Sequence, residues 1–87
     1  MEITKEMLKH GNVFHCDTEE KQKELFSKLD KMGCKWADGK PLSKEGYYDY
    51  YKDQTCYSFW NDMELCFEDV DYYNKEGTKI VEYTLDE

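Results

Sequence analysis

The side chains able to do chemistry in this chain are four cysteines, two histidines and twenty carboxylates. A zinc site needs thiolates or imidazoles in closely spaced pairs, because each pair closes one half of the tetrahedron. Cys16, Cys34, Cys56 and Cys66 stand 18, 22 and 10 positions apart, and neither His10 nor His15 completes a zinc spacing with them. The acidic run from 62 to 71 resembles a calcium loop in charge alone. Counted from Asp69, the third ligand position is Tyr73 and the turn position that needs glycine is Asn74. No metal and no other cofactor is expected. Catalysis has no better footing. His15 and Cys16 are neighbours, and adjacent residues on a strand point to opposite faces, so they do not make a nucleophile–base pair. Lys40 follows Gly39, but the rest of a phosphate-binding loop is missing. The chain is expected to be a binding protein, not an enzyme.

The combination that remains is tyrosine with carboxylate. One cluster is Tyr47, Tyr48, Asp49, Tyr50 and Tyr51; a second runs through Asp62, Glu64, Glu68, Asp69, Asp71, Tyr72, Tyr73 and Glu76. Carboxylates two residues apart on one face of a strand repeat every ~6.5–7 Å, close to the phosphate spacing of a nucleic-acid backbone. Such a face steers toward a basic groove, and tyrosine offers a rigid ring with a polar tip for the contact itself. Asp49, Asp62, Glu64, Glu68, Asp69, Asp71, Tyr72 and Tyr73 are therefore the expected partner-binding residues. Trp36 has two readings, a core ring under a helix or an exposed platform for stacking. In the second it joins Tyr47, Tyr48 and Trp60 as an aromatic ligand contact.

Charge sharpens this. Residues 1–44 carry nine lysines and eight acids, while residues 45–87 carry three lysines and twelve acids along with all eight tyrosines. Every basic residue is lysine. Arginine's planar fork is the preferred grip on phosphate and base edges, so direct nucleic-acid binding is not expected. No apolar stretch is long enough for a signal peptide or a membrane span, and the cysteines sit in apolar runs, so free thiols in a reducing cytoplasm are expected.

The elements that position these groups follow from periodicity. Thr4 caps a short helix over 5–10, closed by Gly11, and 12–16 (NVFHC) is a strand. Asp17, or else Thr18, caps the main helix, with Glu20 three residues after Asp17 in a capping-box arrangement. Glu19 and Glu20 suit its N-terminal dipole, and Leu25, Phe26, Leu29 and Met32 form its buried stripe before Gly33. Glu24 and Lys28 form an outward i,i+4 pair. Residues 34–37 are a second strand, and 39–53 a long ordered loop, with or without a helical turn. Residues 55–60 and 63–68 alternate as a hairpin across Asn61-Asp62, with Tyr57 and Phe59 together, Leu65 and Phe67 together, and Glu64 and Glu68 sharing the opposite face. A turn or short helix at 69–77 leads to a last strand over 79–85, with Val81, Tyr83 and Leu85 on one side. The fold expected is α+β in a single domain, 1–87: one main helix packed on a mostly antiparallel sheet of four or five strands.

The run VFHCDTEEKQKELFSKLDKMGCKWADGKPL, then TCYSF and DYYNKEGTKIVEY, resembles a group of small uncharacterised proteins of phages and prophages of low-GC Gram-positive bacteria. The likeness covers most of 12–83 and rests on the Thr-Glu-Glu helix start, Gly33, Trp36 and Gly39, Cys56-Tyr57, and the closing Lys-Ile-Val-Glu-Tyr. It implies an accessory protein acting in the host cytoplasm. Joined to the acidic half, it leads to a host-defence inhibitor that mimics nucleic acid, anti-CRISPR-like, whose partner is a host protein with a basic groove. The alternatives are a sponge holding a nucleotide immune signal in an aromatic pocket at a homodimer interface, and a small structural or regulatory phage protein.

Overall fold

A computed structural model describes residues 1–8, 12–42, 51–61 and 64–86 of the chain. Its centre is the helix α1 (Glu19–Lys31). Of the two cap candidates Thr18 takes the role: its backbone is extended and its Oγ1 accepts from Lys21 N at 3.1 Å. Asp17 instead pairs with Lys21 at 2.7 Å. At the other end Gly33, at φ 92, turns the chain left-handed, and Cys34 N reaches back to Leu29 O at 3.0 Å. That closure satisfies carbonyls the last turn leaves open, at a φ a Cβ disfavours.

Five strands form one sheet in the order β2-β4-β3-β1-β5. They are β1 (Val13–Cys16), β2 (Lys35–Trp36), β3 (Thr55–Asn61), β4 (Glu64–Asp69) and β5 (Ile80–Glu82). β3 is antiparallel to β1 and to β4, whereas β5 lies parallel to β1 and β2 parallel to β4. The class is α+β as expected, but the sheet is mixed, with β3 alone running against the rest. The connections explain this. α1 carries the chain from β1 to β2, and a second helix α2 (Val70–Lys75) carries it from β4 to β5. A helical crossover returns the next strand in the same direction.

Several boundaries differ from the periodicity. The N-terminal segment makes a 3-10 turn at Lys5–Leu8, and residues 9–11 lie outside the described set, as does 43–50 of the long loop. Asn61 belongs to β3, pairing with Glu64, so it is not a turn residue; an extra β3 residue between Phe59 and Asn61 shifts the register there. β5 is shorter than 79–85, although Tyr83 N still donates to His15 O at 3.0 Å.

Alternation sorts the side chains into two layers. On one face Phe14, Cys16, Trp36, Tyr57, Phe59, Leu65 and Tyr83 pack with Leu25, Phe26 and Leu29 of α1, all buried, and Phe67, Val81 and Leu85 border them. Phe26 meets Tyr57 and Trp36 with ring centroids 4.8 and 5.4 Å apart, both edge-on, the geometry ring quadrupoles favour. On the other face α2 presses Tyr73 onto Val13 and Cys56, with Val70 and Ile80 alongside.

Candidate interaction face

The expected partner residues converge where β4 runs into α2. Leu65 points into the main core, so Glu64, Cys66 and Glu68 alternate onto the opposite face. Glu68 accepts from the Tyr51 hydroxyl at 3.2 Å, and the Tyr51 ring lies 5.8 Å from that of Phe67. The Glu68 carboxylate beside it raises the Tyr51 phenol above its ordinary range. β2 pairs with β4 only at Glu64 and Leu65, so Tyr51 flanks the half of β4 that β2 does not reach.

Asp69 ends the strand and caps α2, its Oδ1 accepting from Tyr72 N at 2.9 Å. Asp71 follows, exposed, in the first turn of the helix. The two tyrosines divide. Tyr72 is 45% exposed, whereas Tyr73 is 6% exposed. The Tyr73 hydroxyl shares a 2.7 Å hydrogen bond with Ser58, and burial pushes the phenol up to about 12. Tyr73 is thus an anchor of α2 and not a partner contact; helical geometry turns adjacent residues to different sides, and only one side of α2 meets the sheet.

Trp36 is 4% exposed and lies in the main core, within ring contact of Phe26 and Phe67. It offers no stacking surface, which removes it from the aromatic contacts. Asp49, Asp62, Tyr47 and Tyr48 lie outside the described residues, as does the side chain of Trp60.

Cations are distributed unevenly. Lys21 pairs with Asp17, Lys23 with Glu19 at 3.1 Å, and Lys28 with both Glu24 at 3.9 Å and Asp86 at 2.6 Å. Among the described residues no lysine bridges Glu68, Asp69 or Asp71. Lys35 stands opposite Glu64 in the β2–β4 register, so that end of the face is edged by an ammonium. Two acids of the C-terminal half are engaged elsewhere: Asp86 with Lys28 and the Met1 amino group, and Glu82 with His15. Of the acids on this face Asp71 is exposed and Glu64, Glu68 and Asp69 are half-buried, so the negative face is narrower than the count of acids implies.

The thiols are free. Burial pushes Cys16 and Cys56 up to about 12 and Cys34 to about 11. Burial also raises Cys66, and the flanking Glu64 and Glu68 add to it. Among the described residues no group of three His, Cys, Asp or Glu side chains is placed to hold a metal, and no helix is long and apolar enough to cross a membrane.

Two polar clusters escaped the sequence reading. His15 sits between Glu82 and the Asp53 carbonyl. Glu24 receives the Tyr83 hydroxyl at 2.5 Å and, with Lys28, Asp86 and Met1, ties both ends of the chain to α1. Both join residues 27 or more positions apart, for which local spacing carries no sign, apart from the Glu24–Lys28 helix pair itself. No protein-family model, curated protein or solved structure matches the chain.

Proposed function

We propose that this chain is a non-enzymatic binding protein that offers Glu64, Glu68, Asp69, Asp71 and Tyr72 to the basic nucleic-acid groove of a host protein. In its concrete form it is a phage-encoded inhibitor of a host-defence component, acting in the host cytoplasm. The observation that carries the reading is the partition of charge. Lys21, Lys23 and Lys28 of α1 pair with acids on and beside that helix, whereas Glu68, Asp69 and Asp71 have no lysine bridge among the described residues and flank an exposed tyrosine. Clustered anions around an aromatic ring suit a groove evolved for phosphates and bases, because long-range attraction raises the encounter rate and the ring supplies apolar contact.

The test is capture from a lysate of a low-GC Gram-positive host at two salt concentrations, with the tagged chain and with a variant carrying E64Q, E68Q, D69N and D71N. Asparagine is as good a helix cap as aspartate, so α2 survives the change. Capture by the wild-type chain is expected to be strong at low salt, weak at high salt, displaced by added duplex DNA, and absent in the variant. Capture that the variant retains overturns the reading.

A further inference from the structure

His15 lies on β1 with a side chain 12% exposed, and each of its ring nitrogens faces an oxygen. Nε2 is 2.6 Å from the Asp53 carbonyl, and Nδ1 is 2.5 Å from Glu82 Oε2. A carbonyl only accepts, so Nε2 must carry a hydrogen. The remaining contact then needs a second proton between Nδ1 and Oε2, because an imidazole lone pair and an ionised carboxylate repel each other. The arrangement is complete only when the pair holds that extra proton, as imidazolium against carboxylate.

The oxygens belong to different elements. Glu82 is the last residue of β5, an edge strand of three residues parallel to β1. Asp53 lies in the 3-10 turn Lys52–Gln54, entered through Lys52 at φ 49, a left-handed conformation uncommon for lysine. We propose that His15 and Glu82 form a proton-dependent latch that fastens the edge strand β5 and the turn before β3 to β1.

The surroundings favour its opening once the proton is lost. From the end of β1 comes Asp17, held by Lys21 of α1; from β3 comes Cys56, the register partner of His15, whose thiol burial keeps un-ionised; from the turn come Lys52 and Asp53; from β5 comes Glu82. With Lys21 engaged by Asp17, the carboxylate of Glu82 faces a lone pair. The latch holds β5 while the pair keeps that extra proton, and the hold is lost when the proton leaves. This claim stands apart from the proposed function, since it concerns the opposite edge of the sheet and needs no partner.

The experiment is amide hydrogen exchange on the whole chain from about pH 5.5 to about pH 8.5, either side of the ordinary imidazole titration. Rates are divided by intrinsic rates at each pH. The Tyr83 amide is the reporter, since it bonds to His15 O. Its protection is expected to fall about two- to fivefold across the range, the size appropriate to a part-exposed ion pair. In Glu82→Gln the carboxamide donates its N–H to the neutral Nδ1, so protection should stay high and flat. In His15→Gln it should be low and flat, with the Phe59 amide still protected as a check on folding. A flat wild-type profile, or the same step in Glu82→Gln, overturns the latch.

Discussion

Cys66 differs from the other three cysteines in where the sheet puts it. Cys16, Cys34 and Cys56 are buried at 0–3% exposure, while Cys66 is half-buried beside two carboxylates. A thiol pushed up to about 12 is ionised only to ~10⁻⁴ near pH 8, and the thiolate is the reacting form. Alkylation of the native chain with a neutral reagent should label Cys66 first and leave the others intact, as read by intact mass. All four should react in denaturant; native labelling of Cys16 or Cys56 before Cys66 would contradict the packing. Residue type alone did not separate these thiols, because exposure follows from which strand lies beside which. The same holds for Trp36 and Tyr73, both aromatic and both buried, and for Tyr72, exposed one position away.

At the scale of elements, α1 was legible because what defines it is local: the Leu25–Phe26–Leu29 stripe, the Gly33 stop and a cap at 17 or 18, although the spacing favoured Asp17 and the structure uses Thr18. Thr18→Ala should cost about 1 kcal/mol of folding stability through the lost cap. Gly33→Ala should cost about as much, since alanine at φ 92 gives up the freedom glycine supplies. Both are measured by urea denaturation, with m unchanged if only α1 is affected. The alternation of β3 and β4 was equally readable, and Glu64 and Glu68 do share a face. Strand direction was not. Parallel pairing of β1 with β5 joins Val13 to Ile80, and no hydrophobic period encodes a partner that distant. The clusters around His15 and Glu24 depend on that pairing, so they were hidden with it.

At the scale of the molecule, charge is divided between internal clasps and an outward face. The hydrogen bond from Tyr83 holds the Glu24 carboxyl below its usual range, and Lys28 with the Met1 amino group does the same for Asp86. Groups depressed in the folded state stabilise it above their unfolded titration range, and that contribution disappears as pH falls through the folded one. The urea midpoint should therefore drop as pH is lowered from about 6 to about 3, and Tyr83→Phe should make the drop shallower while keeping the ring in the core.

The outward face is the other part of the division, and its use by a partner is the central claim. The most direct measurement is the affinity for the captured host protein across a salt series, for the wild-type chain and for the variant with E64Q, E68Q, D69N and D71N. If the face occupies a basic groove, log affinity falls steeply against log salt for the wild-type chain, and the variant binds weakly with a shallow slope. Equal affinities with equal slopes for the two proteins would contradict it.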